Sequence, residues 1–73
     1  MVNKTELEIA MKRHGDTGGT LAEYLGIARS TFSAKLNETN GAEFTQREIA
    51  KIKNRYSLDA DAVVTIFFPL EVS

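Results

Sequence analysis

Cysteine is absent from this chain, which excludes a disulfide framework and any thiolate zinc site. One histidine, His14, is too few for an imidazole metal cluster, and its place near the end of a helical stretch suits a charge against the helix dipole. The only proline, in Phe68-Pro69, leaves the sequence before it free to run as helix. The longest apolar run, about Val63 to Phe68, is far short of the ~20 residues a bilayer crossing needs. The opening MVNKTELEIAMKRHG spaces its charges too closely for the apolar region of a secretion signal, so a cytoplasmic setting is expected. Catalysis finds no thiol, one imidazole and no carboxylate pair in an apolar setting. The expectation is a protein that is not an enzyme and uses no metal, cofactor or membrane.

What is present is the material of one small helical domain. With 73 residues, 42% apolar and 26% charged, residues 1–73 form a single unit. At this length roughly 60% of the unfolded chain's surface can be buried, so helix packing alone must hold it. The net charge of −1 is unevenly spread. Residues 28–56 carry six cations (Arg29, Lys35, Arg47, Lys51, Lys53, Arg55) against three carboxylates, a balance of +3, whereas the last seventeen carry three carboxylates and no cation. Such asymmetry lets one face meet phosphates while the acidic end points away.

The first helix is predicted over Lys4–His14, where Leu7, Ala10, Met11 and His14 recur at i, i+3, i+4 and i+7. Asn3 with Glu6 or Thr5 with Glu8 would cap its start, and Gly15 would end it. In the connection DTGGT, glycines at 18 and 19 cost about 1 kcal/mol each relative to alanine in a helix. The second helix is therefore placed over Leu21–Leu25, capped by Thr20 with Glu23. A phosphate-cradling reading of GDTGGT lacks the lysine at the required spacing.

The organising stretch is Thr20–Asn37, TLAEYLGIARSTFSAKLN. Leu21, Ala22 and Leu25 share one helical face, Gly26 tolerates a left-handed turn, Ile27 follows as a pivot, and Phe32 and Leu36 mark the inner side of a helix over Arg29–Leu36. Arg29, Ser30 and Ser33, with Ala34 at the edge, are then left outward. Short side chains allow close approach to a major groove about 12 Å wide, hydroxyls donate and accept, and arginine can bond guanine O6 and N7 together. Thr31 and Lys35 lie further round, where backbone phosphates are met.

This stretch resembles the helix-turn-helix of phage Cro and cI-type repressors, within the xenobiotic-response-element family of small bacterial regulators. The likeness extends from Leu7 to Phe67. The KLN, EFTQREI and IFF stretches are similar to those of small Cro/cI-like proteins of phages and prophages of Gram-positive bacteria. The resemblance implies an all-α fold, a compact bundle of five short helices around a central helix-turn-helix. It also implies a sequence-specific transcriptional regulator that binds double-stranded DNA as a homodimer. Two recognition helices about 34 Å apart would require a palindromic or near-palindromic operator. Base contacts would fall to Ala28, Arg29, Ser30, Ser33 and Ala34, and phosphate contacts to Thr17, Thr20, Thr31, Lys35, Asn37 and Asn40. Three residues depart from the family pattern: Gly18 stands where a phosphate-binding glutamine is common, Ala28 where a serine or threonine cap is usual, and Leu36 one position late. The missing glutamine and the acidic net charge suit an alternative, an antirepressor-type module of the same fold that binds another protein.

The rest of the chain supports the same architecture. After the polar loop NETNGAE, Phe44, Thr45, Glu48 and Ile49 make a capping box with a hydrophobic staple, which starts a helix running to Tyr56 and burying Ile49, Ile52 and Tyr56. Asp59 would cap a last helix to Phe67, with Val63, Ile66 and Phe67 inward and Pro69 as the stop. Val64, Phe68, Leu70 and Val72 are more apolar surface than so small a domain covers, and are the candidate dimer contact. Residues 64–73 are also compatible with an extended tail, because β-branched and aromatic residues favour strands.

Overall fold

The computed structural model describes residues 2–69 and has the expected all-α architecture. Five helices, α1 (Lys4–His14), α2 (Gly18–Leu25), α3 (Arg29–Asn37), α4 (Gln46–Tyr56) and α5 (Ala60–Phe67), are joined by short turns, with one 3₁₀ turn at Thr39–Gly41. No helix among the described residues is long and apolar enough to cross a membrane. Leu70 and Val72, named above for a dimer contact, lie outside the described residues.

Each helix starts where a side chain can satisfy its free amides, with one exception. Asn3 accepts from the Glu6 amide, Thr45 from Glu48 and Asp59 from Ala62. At Thr45 the box is reciprocal, since the Glu48 carboxylate takes the Thr45 amide at 2.8 Å. Ala28 has no such group, so α3 begins uncapped.

The start of α2 corrects the sequence-based expectation. The helix begins at Gly18 and not at Leu21, and its cap is Thr17 and not Thr20. Thr17 Oγ1 accepts from the Thr20 amide at 3.2 Å while Thr20 Oγ1 accepts from the Thr17 amide at 2.8 Å. Two threonines thus perform what a Thr/Glu box does elsewhere, and Glu23 is left exposed. Satisfying both amides offsets the propensity cost of the two glycines. At the other end α3 runs one residue past Leu36, to Asn37, and closes on Glu38 in the left-handed region.

The core is one cluster drawn from all five helices: Leu7, Met11, Leu21, Ala22, Leu25, Phe32, Ile52, Ile66 and Phe67. Phe44 bridges it with edge-to-face contacts to Phe32 and Phe67, at centroid distances of 5.7 and 5.8 Å. Ile49, Tyr56 and Val63, expected inward, are partly buried against the cluster, as are Ile27 and Leu36. The segment before α1 is tied down by the Asn3 amide, which donates to the Ile66 carbonyl at 2.6 Å.

Neither glycine at the start of α2 is required by the space around it. A Cβ at Gly18 would lie 3.6 Å from the Phe32 ring, and one at Gly19 3.7 Å from Thr17 Oγ1 and 4.0 Å from Arg29 Cδ, all ordinary contacts. Gly19→Ala should therefore stabilise the fold by about 0.4–1 kcal/mol, since alanine loses less chain entropy on folding. Thermal unfolding followed by circular dichroism should show a midpoint a few degrees higher; a lower one would mean the turn needs glycine.

Candidate nucleic-acid interface

The position of α3 is set at both ends. Gly26 adopts φ 74°, and its amide donates back into α2, turning the chain sharply enough for Ile27 to pack on the core before α3 starts. With Phe32 buried and Leu36 partly so, the opposite side of α3 faces outward. Ala28, Arg29, Ser30, Thr31 and Ser33 are exposed there, and Ala34 is half-buried at the edge. The five candidate base-contact residues thus share one surface, open except at Ala34.

The candidate phosphate contacts do not form one uniform set. Lys35 is directed onto α4, where its ammonium meets Glu48 Oε1 and Oε2 at 2.6 and 2.7 Å; the two side chains are 16% and 9% exposed. This reassigns Lys35 from a free surface cation to a structural partner. Asn37 is also occupied: its amide nitrogen donates to the Ser33 carbonyl, and its Oδ1 accepts from Lys4 Nζ at 2.9 Å. Thr17 and Thr20 are exposed but engaged in the α2 cap. Asn40 is exposed on the 3₁₀ turn at φ 54°, and Thr31 stands open on α3.

Glu48 serves two elements at once, as the Oε1 that caps Thr45 also holds Lys35. Burial raises its pKa, but the Lys35 bond, the Thr45 amide and the lysine's charge together outweigh that and hold it below the usual carboxylate value.

A second carboxylate, not anticipated from sequence, holds α2 to α4. Asp16, with its side chain only 4% exposed, receives Arg55 Nε and Nη2 at 2.7 and 2.8 Å, the Tyr56 hydroxyl at 2.6 Å and the Thr20 hydroxyl at 2.9 Å. The Arg55 guanidinium also lies 4.5 Å from the centre of the Tyr24 ring on α2. The Arg55 hydrogen bond, opposed by burial and joined by Tyr56 and Thr20, holds Asp16 far below the usual carboxylate range. Burial, with the Asp16 carboxylate, pushes the Tyr56 hydroxyl well up. Tyr56 also packs against His14, with centroids 5.0 Å apart, a contact that gives His14 a structural role.

No family model, curated protein or solved structure matches this chain.

Two outcomes follow for stability. Because Asp16 and Glu48 are both depressed in the folded state, their contribution is complete above the usual carboxylate range and is lost as pH falls below about 5. Asp16→Asn should lower stability near neutrality by about 1–3 kcal/mol and flatten its fall under acid, measured as urea midpoints across pH. An unchanged acid slope would show that Asp16 does not couple folding to protons. Lys35→Ala should likewise cost roughly 1–2 kcal/mol, because it leaves a buried carboxylate short of a partner. Little or no change in its urea midpoint would argue against the Glu48 contact.

Proposed function

We propose that this chain is a sequence-specific DNA-binding regulator that inserts α3 into the major groove. The observation that carries the reading is the outward face of α3: Arg29, Ser30, Thr31 and Ser33 lie exposed together on a helix turned out by Gly26. Side chains this short bring the helix backbone close to base edges, and Arg29 supplies a long cationic donor. Two of the six cations of residues 28–56, Lys35 and Arg55, are neutralised inside the fold. Apart from Arg29, this leaves Arg47, Lys51 and Lys53, which form no ion pair among the described residues, as cations for phosphates. The readout therefore rests on Arg29, Ser30 and Ser33, with Thr31 and Asn40 the least encumbered of the phosphate candidates.

A homodimer completes the proposal. Val64 and Phe68, 46% and 56% exposed, offer an apolar contact along and just past α5. Two copies paired there would present two α3 helices to a palindromic operator.

Fluorescence anisotropy at low salt, with random and candidate operator duplexes, tests the reading. Non-specific association should appear by about 10⁻⁴ M and weaken steeply with salt. Absence of binding at that concentration would sink the DNA reading. Arg29→Ala should relax discrimination at one base position by about 1–3 kcal/mol; an equal loss on every sequence would make Arg29 a phosphate contact instead.

A further inference from the structure

Beside the carboxyl end of α3, clear of its outward face, the fold leaves a cleft of about 100 Å³ lined by the apolar Val2, Phe44, Ile49, Phe67 and Phe68 and by the charged Lys35, Glu38 and Glu43. Phe68 is the most exposed large apolar side chain among the described residues, at 56%. Engineered apolar cavities of about 150 Å³ take up benzene, so this one has room for a branched aliphatic side chain.

The charges around the cleft define what suits it. Lys35, the cation in the lining, is neutralised by Glu48. Glu38 uses Oε1 to accept the Val2 amide at 3.1 Å and forms no ion pair with the described residues. Glu43 is exposed and forms no ion pair with the described residues. The edge is thus net acidic over an aromatic floor. A nucleic-acid backbone is repelled there, whereas a cationic polypeptide is attracted and its apolar side chain can be buried.

We propose that this cleft docks a partner protein through a basic segment carrying an aliphatic side chain, with Phe44, Ile49 and Phe68 receiving the side chain and Glu38 and Glu43 its cations. The proposal stands apart from the contact of α3 with DNA but shares Phe68 with the homodimer proposed above, so partner and second copy compete for that ring: loss of DNA binding leaves the cleft intact, and loss of cleft binding leaves α3 exposed.

The test uses the full chain and a short labelled peptide of lysine and leucine, compared with a glutamate/leucine peptide of the same apolar pattern. Anisotropy should show saturable binding of the lysine/leucine peptide only, with amide shift changes concentrated at Phe44, Ile49 and Phe68. Glu43→Lys should weaken binding about tenfold, while Asp61→Lys, the same charge change on the exposed start of α5, should leave it nearly unchanged. No saturable binding, equal binding of the acidic peptide, or equal weakening by Asp61→Lys would overturn the proposal. So would, in the free chain, contacts from Leu70 or Val72 to Phe44, or concentration-dependent shifts at Phe44 and Ile49. The former would put the chain's own end in the cleft, the latter a second copy.

Discussion

Every helix of this protein is too short to persist alone. They span eight to eleven residues, below the ~12–15 at which isolated helices become even marginal in water. Nothing in the fold is therefore stable locally and then assembled; each segment holds its shape because its neighbours occupy one apolar cluster. Side-chain caps supply what the short hydrogen-bond ladders lack. A cap contributes about 1 kcal/mol, a sizeable share when total stability is only about 5–15.

Two carboxylates supply the direction that an apolar core cannot. Burying Leu21, Phe32 and Ile52 fixes which sides face inward but not how far each helix slides. Asp16 draws the entry of α2 to the end of α4, and Glu48 draws the end of α3 to the start of α4. Partly buried ion pairs of this kind add little net stability compared with apolar packing, since desolvation opposes the attraction. Their effect here is geometric: α2 and α3, the pair joined at Gly26, are each referenced to the same third helix.

The sequence disclosed those parts of the structure whose causes are local. Phe44, Thr45, Glu48 and Ile49 sit within six residues, so their box and staple could be read directly, and the left-handed Gly26 between two apolar faces was equally plain. At α2 the local rule misled. The cost of Gly18 and Gly19 and the Thr20/Glu23 spacing both point to a later start, whereas the fold uses a Thr/Thr box whose second hydroxyl also binds Asp16. Asp16 and Arg55 lie 39 residues apart, and no periodicity connects them. Lys35 has a partner hidden from local rules for a related reason. Its angular position on α3 is a surface position until α4 arrives with Glu48, thirteen residues later. The outward residues at the start of α3 are legible because Phe32 and Leu36, within the same two turns, fix which side of the helix faces the core.

The uncapped start at Ala28 gives α3 two unlike ends. Its last turn is held by Lys35 to Glu48 and by Asn37 to Lys4, and Glu38 just beyond takes the Val2 amide. At the first turn no side chain caps the backbone amides, as one does on each of the other four helices. The two ends therefore differ in what they leave unsatisfied: side chains of α1 and α4 bond to the last turn, and the first turn keeps its backbone donors uncapped. Whatever meets Arg29 and Ser30 encounters backbone donors, at the positive end of the helix dipole, that no capping side chain competes for.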